Sequence, residues 1–391
     1  MTPPQGPLRH LDTELADLDR RGLLRLPPSG AQPETSAAEP AEPPLLLCSN
    51  DYLGLASTPW PPSPHPAGAG ASRLVTGEHP QHAEAERALA AWLRTETSLL
   101  FSSGYAANVG AISALARPGD LVVSDALNHA SIIDGCRLSG ARVVVVPHRD
   151  LAAVERALHA HASTPGAATA TRRWVLTESY FSMDGDSPDL PALRSLCDAH
   201  DAALYVDEAH AIGTLGPEGR GLCAESGVTP DVLIGTLGKS LGLQGAFVAG
   251  SDSLRRYLWN RARSFVFSTG IAPALAHRIS ECVREVACAD AARERLAANA
   301  RRLREGLTAL GVSFPPDARG PVVPWLIGPA PTAVAMSRAL RDRGLIVQPI
   351  RPPTVPEGTS RLRITATATL TERDLERALH AFREVAHAFA R

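Results

Sequence analysis

The chain has 391 residues, which is long enough for a large α/β unit, a smaller second domain and a substantial buried core. Its 39 basic and 41 acidic residues nearly cancel, so the net charge of −2 provides no field that would gather nucleic acid or an anionic membrane surface. The six cysteines form no C-x-x-C pair, and the sequence shows neither an apolar signal region nor a run of about 18 apolar residues that could span a membrane. We therefore expect reduced thiols and a cytoplasmic location.

The first 44 residues are predicted to form a helix followed by an irregular arm. Leu8, Leu11, Leu15 and Leu18 recur at helical spacing and predict an amphipathic helix. The stretch Pro27–Pro44 is rich in Pro, Ala and Glu, which favours an irregular connection over the surface.

Residues 45–272 are predicted to form a large domain. Short apolar runs alternate there with helix-like segments, and the runs are nearly continuous, as strands covered by helices on both faces should be. This alternation predicts a mainly parallel sheet buried between helices. The strand-like runs include LVVS (121–124), RVVVVP (142–147), WVLTE (174–178), ALYVDE (203–208), VLIGTLG (232–238) and AFVAG (246–250).

The remainder of the chain is predicted to be a helical link followed by a small C-terminal α+β domain. Apolar residues at a spacing of three to four indicate a long helical region over residues 273–310 that bends or breaks near Ala289. The pattern of residues 311–391 predicts a strand, a helix, two further strands and a final helix after Thr371. The four elements before that helix span residues 322–326, 332–341, 345–349 and 361–366.

One feature of the composition is unusual: Lys239 is the only lysine among the 39 basic residues, and the other 38 are arginine. A general drift toward arginine that happened to spare one position would also produce this. Arginine often replaces lysine where only a positive charge is needed, but a guanidinium neither condenses with an aldehyde nor readily loses its proton. A single remaining primary amine therefore indicates a site where nucleophilic chemistry requires it.

Asp207 and Lys239 both follow predicted strands, at the end where ligands bind in open parallel sheets. A carboxylate that pairs with a pyridinium nitrogen and a lysine that forms a Schiff base are the groups that pyridoxal phosphate needs. The alternatives are a structural ion pair or helix N-cap for Asp207 and a hydrogen-bonded core imidazole for the nearby His210. Each alternative explains one residue, whereas the cofactor hypothesis explains them together.

A phosphate-binding loop is predicted where residues 102–106 lead into a helix. Gly104 permits close approach of the backbone, and Thr236 and Ser240 beside the lysine add hydroxyl groups. An ordinary Ser/Gly helix cap explains the same stretch equally well. His129, in the segment LNHAS, either stacks over a pyridine ring or caps the helix that begins near it.

The acidic segment FSMDGD contains Ser182, Asp184 and Asp186. It lacks the full acidic ladder and the closing glutamate of a calcium-binding loop. We therefore predict no metal site there.

Together these segments resemble the α-oxoamine synthases, which join an amino acid to an acyl thioester with loss of carbon dioxide. The resemblance runs from about Leu45 to the C-terminus and implies an α/β fold, that of the fold-type I pyridoxal-phosphate-dependent transferases. The segments that carry it are SNDYLGL (49–55), GAGASRLVTG (68–77), SSGYAAN (102–108), NHAS (128–131), TESYFSMDGD (177–186), VDEAH (206–210), TLGKS (236–240), FSTG (267–270) and IRPPTVPEGTSRLRI (350–364).

The resemblance also implies roles for individual residues. Lys239 binds the cofactor and takes the α-proton, Asp207 pairs with the ring nitrogen, and His129 stacks on the ring and polarises the acyl carbonyl. The other implied cofactor contacts are Gly104 and Tyr105 through backbone amides, Ser182 and His210 to the ring hydroxyl, Thr236 to the phosphate, and Ser268 and Thr269 to the phosphate of a neighbouring subunit. The implied substrate contacts are Asn50 and Arg363 to the amino-acid carboxylate, Arg25 near the acyl carboxylate, and Thr354. The shared phosphate site implies a homodimer.

Within the family, the segment IRPPTVP is most similar to members that condense L-alanine with a pimeloyl thioester in biotin synthesis. The nearest alternatives are siblings that use glycine with acetyl or succinyl thioesters, or serine with long acyl chains. Aminotransferases or lyases that share Lys239 and Asp207, and a non-catalytic binding protein of the same fold, are more distant alternatives. The resemblance leaves open whether coenzyme A or an acyl carrier protein delivers the acyl group. One departure concerns residues 56–67, where the family usually has a helix and this chain is too rich in proline to form one.

Overall fold

A computed structural model describes residue 8 and residues 10–24, 43–162 and 171–389 of the chain. Its helices are α1 (His10–Arg20), α2 (Pro80–Leu93), α3 (Gly104–Leu115), α4 (Ala130–Ser139), α5 (Leu151–Ala162), α6 (Leu190–Ala199), α7 (Leu222–Ser226), α8 (Asp252–Arg261), α9 (Arg263–Val266), α10 (Pro273–Ala287), α11 (Asp290–Thr308), α12 (Ala330–Arg341) and α13 (Glu372–Phe389). Its strands are β1 (Leu45–Leu46), β2 (Thr97–Phe101), β3 (Leu121–Asp125), β4 (Arg142–Val146), β5 (Arg173–Glu178), β6 (Ala202–Asp207), β7 (Val232–Thr236), β8 (Ala246–Gly250), β9 (Val322–Gly328), β10 (Leu345–Ile346), β11 (Gln348–Ile350) and β12 (Ser360–Thr365).

The main sheet has seven strands in the order β2-β8-β7-β6-β5-β3-β4. Strands β3 to β7 run parallel to one another, whereas β8 is antiparallel to both β7 and β2. Every residue of β3 and β7 is buried, and so are nearly all residues of β5 and β6, because their Val, Leu and Ile side chains are covered on both faces. The predicted mainly parallel sheet between helices is therefore confirmed.

Two strands of this sheet differ from the sequence prediction. β4 lies at the edge of the sheet and leaves Val143 and Val145 exposed, so its apolar run is not covered on both faces as we expected. Its other face carries Val144 and Val146, which pack into the core beside α5. β2 was absent from the predicted runs, because its partner β8 lies about 150 residues later in the sequence and local patterning does not reveal such pairs.

A second, three-stranded antiparallel sheet has the order β11-β12-β9. The run predicted as one strand over residues 345–349 forms two short strands, β10 and β11, which belong to different sheets. β10 pairs in parallel with β1, so the chain at Leu45 joins the C-terminal part of the molecule rather than the main sheet. The proposed domain boundaries remain a prediction.

Helices α10 and α11 lie between these two sheets. The interruption between them falls at Cys288 and Ala289, where the sequence predicts a bend or break. Buried side chains of both helices, such as Ile279 and Leu303, belong to the same core cluster as Phe247 of the main sheet and Phe382 of α13. This shared core holds the C-terminal sheet against the main one.

The periphery follows the sequence pattern. Residues 56–67 contain no helix, in agreement with their proline content. Helix α1 buries none of its residues, and its leucines are exposed. Within residues 10–24, 43–162 and 171–389, no helix has the length and apolar character that crossing a membrane requires.

An ion cluster ties the ends of β3 and β4 to the loop that follows β5. The ring of His148 places Nδ1 2.9 Å from Asp125 Oδ1 and Nε2 3.0 Å from Asp186 Oδ2. Burial alone would lower the pKa of His148, but the hydrogen bonds to the two aspartates raise it to about 9. The imidazolium is therefore present at neutral pH and bridges two carboxylates, one of which ends the FSMDGD segment.

We expect His148→Gln to lower the free energy of unfolding at pH 7 by about 2 kcal/mol. The pKa of His148 is about 9 in the folded protein and near 6.5 in an unfolded chain, so the stabilisation is complete below pH 6.5 and is lost as the pH rises through 9. Urea unfolding between pH 6 and 10 measures the effect. Arg256→Gln, at an exposed and distant ion pair, is the matched control and should behave as wild type. A stability difference between wild type and His148→Gln that stays constant with pH would contradict the bridge.

Candidate active site

A cavity of about 190 Å³ lies at the carboxyl ends of β5, β6 and β7. In a parallel sheet this edge gathers the turns that follow each strand, together with the N-termini of the helices beside them. The lining residues are Gly104, Tyr105, Asn108, His129, Ser131, Glu178, Asp207, Ala209, His210, Thr236 and Lys239. The cavity thus brings together seven of the site residues predicted from the sequence: Gly104, Tyr105, His129, Asp207, His210, Thr236 and Lys239.

Lys239 follows β7, and its Nζ lies 2.8 Å from Nε2 of His210. Burial lowers the pKa of the Lys239 amine, and the charge of the Arg363 guanidinium lowers it further. The carboxyl groups of Asp207 and Glu178 raise it, and the resulting pKa is about 8. Such a pKa leaves roughly a tenth of the amine uncharged at pH 7, against fewer than about one in a thousand for an ordinary lysine. The single lysine is therefore in an environment that favours nucleophilic use.

Asp207 ends β6, and its carboxylate is buried but well supplied with donors. Oδ2 accepts a hydrogen bond of 2.7 Å from the side-chain amide of Asn108, and Oδ1 accepts one of 2.9 Å from the backbone N–H of Ala209. Asn108 is itself fixed by the hydroxyl of Tyr205, which donates to Oδ1 at 2.6 Å, and by Ser131 Oγ at 2.9 Å. These donors hold a negative charge in a defined place, as a partner for a positive ring nitrogen requires.

His129 is the N-cap of α4 and also faces the cavity, so the two interpretations of this residue are compatible. Its Nδ1 accepts a hydrogen bond of 3.2 Å from the backbone N–H of Ser131 and lies 2.7 Å from Ser131 Oγ. Burial lowers the pKa of His129, Asp207 opposes the change and Lys239 reinforces it. The imidazole is therefore neutral at pH 7, with its proton on Nε2, because Nδ1 is an acceptor.

His210 connects Lys239 to residues near both ends of the chain. Its Nδ1 lies 2.7 Å from the hydroxyl of Tyr52, which donates to Asn50 Oδ1 at 3.1 Å. Burial, together with the charges of Lys239 and Arg363, lowers the pKa of His210 well below its ordinary value. A neutral ring that donates from Nδ1 to the tyrosine and accepts at Nε2 from the lysine satisfies every one of these contacts.

Arg363 lies on the other side of Tyr52. Its Nη2 donates to the tyrosine hydroxyl at 3.2 Å, Nη1 donates to Asn50 Oδ1 at 3.0 Å, and Nε donates to the carbonyl of Ser182 at 2.6 Å. The structure therefore brings together Asn50 and Arg363, the predicted carboxylate pair. The sequence predicts no role for Tyr52. The feature that could have indicated one is its position in the segment SNDYLGL, two residues after Asn50.

The phosphate-binding loop is a capped helix start. Ser103 is the N-cap of α3 and its Oγ accepts from the N–H of Ala106 at 3.1 Å. The first backbone N–H groups of a helix have no acceptor within the helix, so those of Gly104 and Tyr105 are available to an anion. Thr236 lies next to Gly104, whereas Ser240 is buried away from the cavity lining.

Several predicted residues do not line this cavity. Ser182 is buried beside it, and Ser268 and Thr269 line a separate small hollow with Arg73. Thr354 is exposed in the turn after the peptide bond between Pro352 and Pro353, and its N–H donates to the carbonyl of Arg351 at 3.1 Å.

The predicted acyl-carboxylate contact, Arg25, lies outside the described residues. The residues just before it are held by Arg351, whose guanidinium donates to the carbonyl oxygens of Gly22 and Leu24. The segment IRPPTVP therefore contacts the stretch that leads to Arg25.

The acidic residues of FSMDGD form ion pairs with basic side chains of the protein. Asp184 pairs with Arg361, and Asp186 pairs with His148 and Arg149. Within the part of the chain that the structure describes, no cluster of three or more His, Cys, Asp or Glu side chains is arranged to hold a metal ion.

The chain is similar to known proteins in sequence and in fold. Residues 42–382 match the family described as aminotransferase class I and II. A protein from Marinobacter nauticus named 8-amino-7-oxononanoate synthase is 48% identical over 348 residues, which cover 86% of each chain. A protein of the same name from Anaeromyxobacter sp. is 47% identical over 391 residues, which cover 97% of this chain and 96% of that relative.

Among solved structures, a variant of serine palmitoyltransferase from S. paucimobilis, with PLP and myriocin bound, is similar over almost its whole length. The two structures align with a TM-score of 0.85 at 29% sequence identity, and the match covers 98% of this chain and 99% of that one. The chain therefore shares the whole fold of that enzyme, and not only its sheet.

If Lys239 carries the cofactor, borohydride reduction followed by peptide mapping should place a pyridoxyl group on Lys239 alone. Lys239→Ala and Lys239→Arg should both lose the visible absorption of the bound cofactor and at least about 1,000-fold in turnover, because arginine keeps the charge but not the nucleophile. No other lysine competes for the label, so the N-terminal amine is the internal control. Label on that amine, or full turnover in Lys239→Arg, would refute the assignment.

Proposed function

The chain belongs to the aminotransferase class I and II family, and from that membership we propose that it condenses L-alanine with a pimeloyl thioester to form 8-amino-7-oxononanoate, carbon dioxide and a free thiol. The resemblance to the α-oxoamine synthases and the predicted fold class are confirmed by the same relatives. The observation that carries the proposal is that the chain's only lysine lines one cavity with a buried aspartate. The chain is also 47% identical, over nearly its full length, to a relative named 8-amino-7-oxononanoate synthase.

The cofactor is pyridoxal phosphate, and the residues of the cavity fit it. Asp207 offers a fixed negative charge for the ring nitrogen, Lys239 a partly uncharged amine for the aldehyde, and the start of α3 free N–H groups for the phosphate. When bound, the cofactor withdraws electrons from Cα of the attached amino acid, so that bonds to Cα break more readily.

Arg363 and Asn50 would bind the carboxylate of the amino acid. A guanidinium presents two parallel N–H donors that match a carboxylate, and the Asn50 amide adds a neutral donor beside it. Tyr52 supports both groups, because its hydroxyl bonds to each of them. The carboxylate is later lost as carbon dioxide, so this site orients the bond that breaks.

Lys239 would transfer the α-proton, and His129 would contact the acyl group. With a pKa of about 8, the Lys239 amine accepts the α-proton and returns it near neutral pH, while His210 holds Nζ in place. The neutral His129 ring keeps its proton on Nε2, from which it donates to the carbonyl oxygen of the thioester. This contact withdraws electrons from the carbon that Cα attacks.

We place the enzyme in the cytoplasm, because its six cysteines, all of them within the described residues, are free thiols. The acyl group arrives as a thioester of coenzyme A or of an acyl carrier protein.

The substrate pair is tested by competition for kcat/KM among pimeloyl, succinyl, acetyl and palmitoyl thioesters, each with alanine, glycine and serine, and with product mass as readout. We expect alanine with pimeloyl to be preferred. One methyl group in a pocket contributes only about 1–3 kcal/mol, so selection between alanine and glycine should be weaker than selection among acyl chains. A preference for serine with palmitoyl would instead indicate the activity named for the structural relative. A preference for any other pair would also defeat this assignment.

We also propose that the enzyme is a homodimer with composite sites. Ser268 and Thr269 lie outside this chain's own cavity, and a bridge between Ser72 and Thr269 brings two segments with exposed apolar side chains together. Val75 is 74% exposed and Phe267 is 71% exposed. Large apolar side chains exposed on neighbouring segments are typical of an interface.

Composite sites are tested by complementation. Chains with Lys239→Ala and chains with Ser268→Ala and Thr269→Val should each be nearly inactive, because each lacks one half of the site. Mixed under conditions that exchange subunits, they should regain roughly a quarter of wild-type activity, since half of the dimers then hold one intact site of two. Mixing either chain with itself is the control. Failure to regain activity, although exchange is shown by mass, would rule out the shared site.

A further inference from the structure

Glu178 is a buried acid in the cavity to which neither the sequence nor the proposed mechanism assigns a role. It ends β5 and is only 3% exposed, and it lies directly opposite Asp207 in the register of β5 and β6. Both carboxyl groups line the cavity together with Lys239. Two buried acids and one amine therefore line the same cavity.

The two acids differ in their donors. Asp207 accepts hydrogen bonds from Asn108 and from the backbone N–H of Ala209. Glu178 Oε1 is buried and has no hydrogen-bond partner among the described residues. Two neighbouring carboxyl groups do not both ionise easily, and the proton settles on the one whose charge is less well stabilised. The geometry therefore gives the proton to Glu178.

The other groups around Glu178 do not reverse this division. The charge of Lys239 and the backbone N–H groups of His129 and Ser182 favour the carboxylate form, but burial and the charge of Asp207 outweigh them and raise the pKa of Glu178 to about 8. The nearby imidazoles of His129 and His210 are neutral, because burial lowers the pKa of both.

A comparison with Glu208 shows what a purely structural acid looks like in this fold. Glu208 is completely buried beside Asp207, yet it accepts from the hydroxyl of Ser179 and from the backbone N–H groups of Leu222 and Cys223. It does not line the cavity. Glu178, in contrast, leaves one carboxyl oxygen without a partner among the described residues, and its side chain lines the cavity.

We propose that Glu178 is a further catalytic residue of this site, a carboxylic acid that stays protonated at neutral pH and donates a hydrogen bond from its side-chain carboxyl group to an anionic oxygen of the bound cofactor or amino acid. The proposal rests on the proposed function, because it needs those ligands in the cavity. Glu178 acts before the thioester binds, because it lines the cavity with Asp207 and Lys239, the two residues that assist removal of the α-proton. No proton transfer from Glu178 is required.

The protonation state is tested on the holoenzyme by infrared difference spectroscopy. Wild type minus Glu178→Gln should show the carbonyl band of a protonated carboxyl group at pH 6 to 7, and bands of the cofactor cancel because both proteins carry it. A difference spectrum with carboxylate bands instead, over that pH range, would overturn the proposal. This measurement does not depend on turnover.

The role is tested by the rate of α-deuterium exchange into L-alanine without any thioester. Glu178→Gln keeps a donor of similar size and should exchange within about 3-fold of wild type, whereas Glu178→Leu removes the donor and should be slower by roughly 10- to 100-fold. The rate of cofactor release and the dissociation constant of alanine show which ligand has lost the bond. Exchange in Glu178→Leu at the wild-type rate, or Glu178→Gln as slow as Glu178→Leu, would overturn the proposal.

Two controls keep these outcomes distinct. Circular dichroism and cofactor content establish whether each variant folds. If Glu178→Leu does not fold, the infrared result and the exchange rate of Glu178→Gln still test the proposal. Wild type must first exchange the α-proton of alanine. If it does not, the proposed function has failed, while the infrared result still reports on Glu178.

Discussion

The hydrogen bond from the Asn108 amide to the carboxylate of Asp207, 2.7 Å long and buried, ties together the parts of the site. Asn108 belongs to α3, whose start offers N–H groups to a phosphate, and it also bonds to Ser131 at the start of α4, which His129 caps. The position of one carboxylate is therefore tied to the start of α3 and to the imidazole of His129. Because the carboxylate is shielded from water, its charge acts strongly on its neighbours. The lowered pKa of Lys239 is a balance between burial and this charge.

A second chain of hydrogen bonds runs from Lys239 through His210 and Tyr52 to Arg363, and it crosses from the main sheet to the C-terminal one. Hydrogen bonds therefore connect the Lys239 amine with Arg363, the residue expected to bind the carboxylate of the amino acid, without any substrate. Arg363 also donates to the carbonyl of Ser182, so one guanidinium positions both Asn50 and Ser182, which the sequence predicts to contact the substrate and the cofactor. The small sheet accordingly contributes Arg363 to the chain of hydrogen bonds that begins at Lys239. Residues that are far apart in the sequence are thereby brought to one place.

Much of this arrangement could be predicted from the sequence, for reasons that are local. Strands that are covered on both faces produce continuous apolar runs, and the residues at their ends, such as Asp207, are then expected at one edge of the sheet. Lys239 stood out because no other lysine is present. Tyr52, Asn108 and Glu178 could not be found in this way, since their roles depend on partners about 30 to 310 residues away. Burial, which decides the protonation of Glu178, is likewise a property of the fold and not of a motif.

The solitary lysine has a further consequence for how the site can be observed. In most proteins the side-chain nitrogens of many lysines overlap in a spectrum, and the one at the active site is lost among them. Here, supplying lysine labelled with ¹⁵N at Nζ places a single isotope in the whole chain, at Lys239. Its chemical shift would report directly whether that nitrogen is an ammonium, a free amine or bound to carbon. The composition of the protein thus makes the side-chain nitrogen of Lys239 an isolated spectroscopic probe.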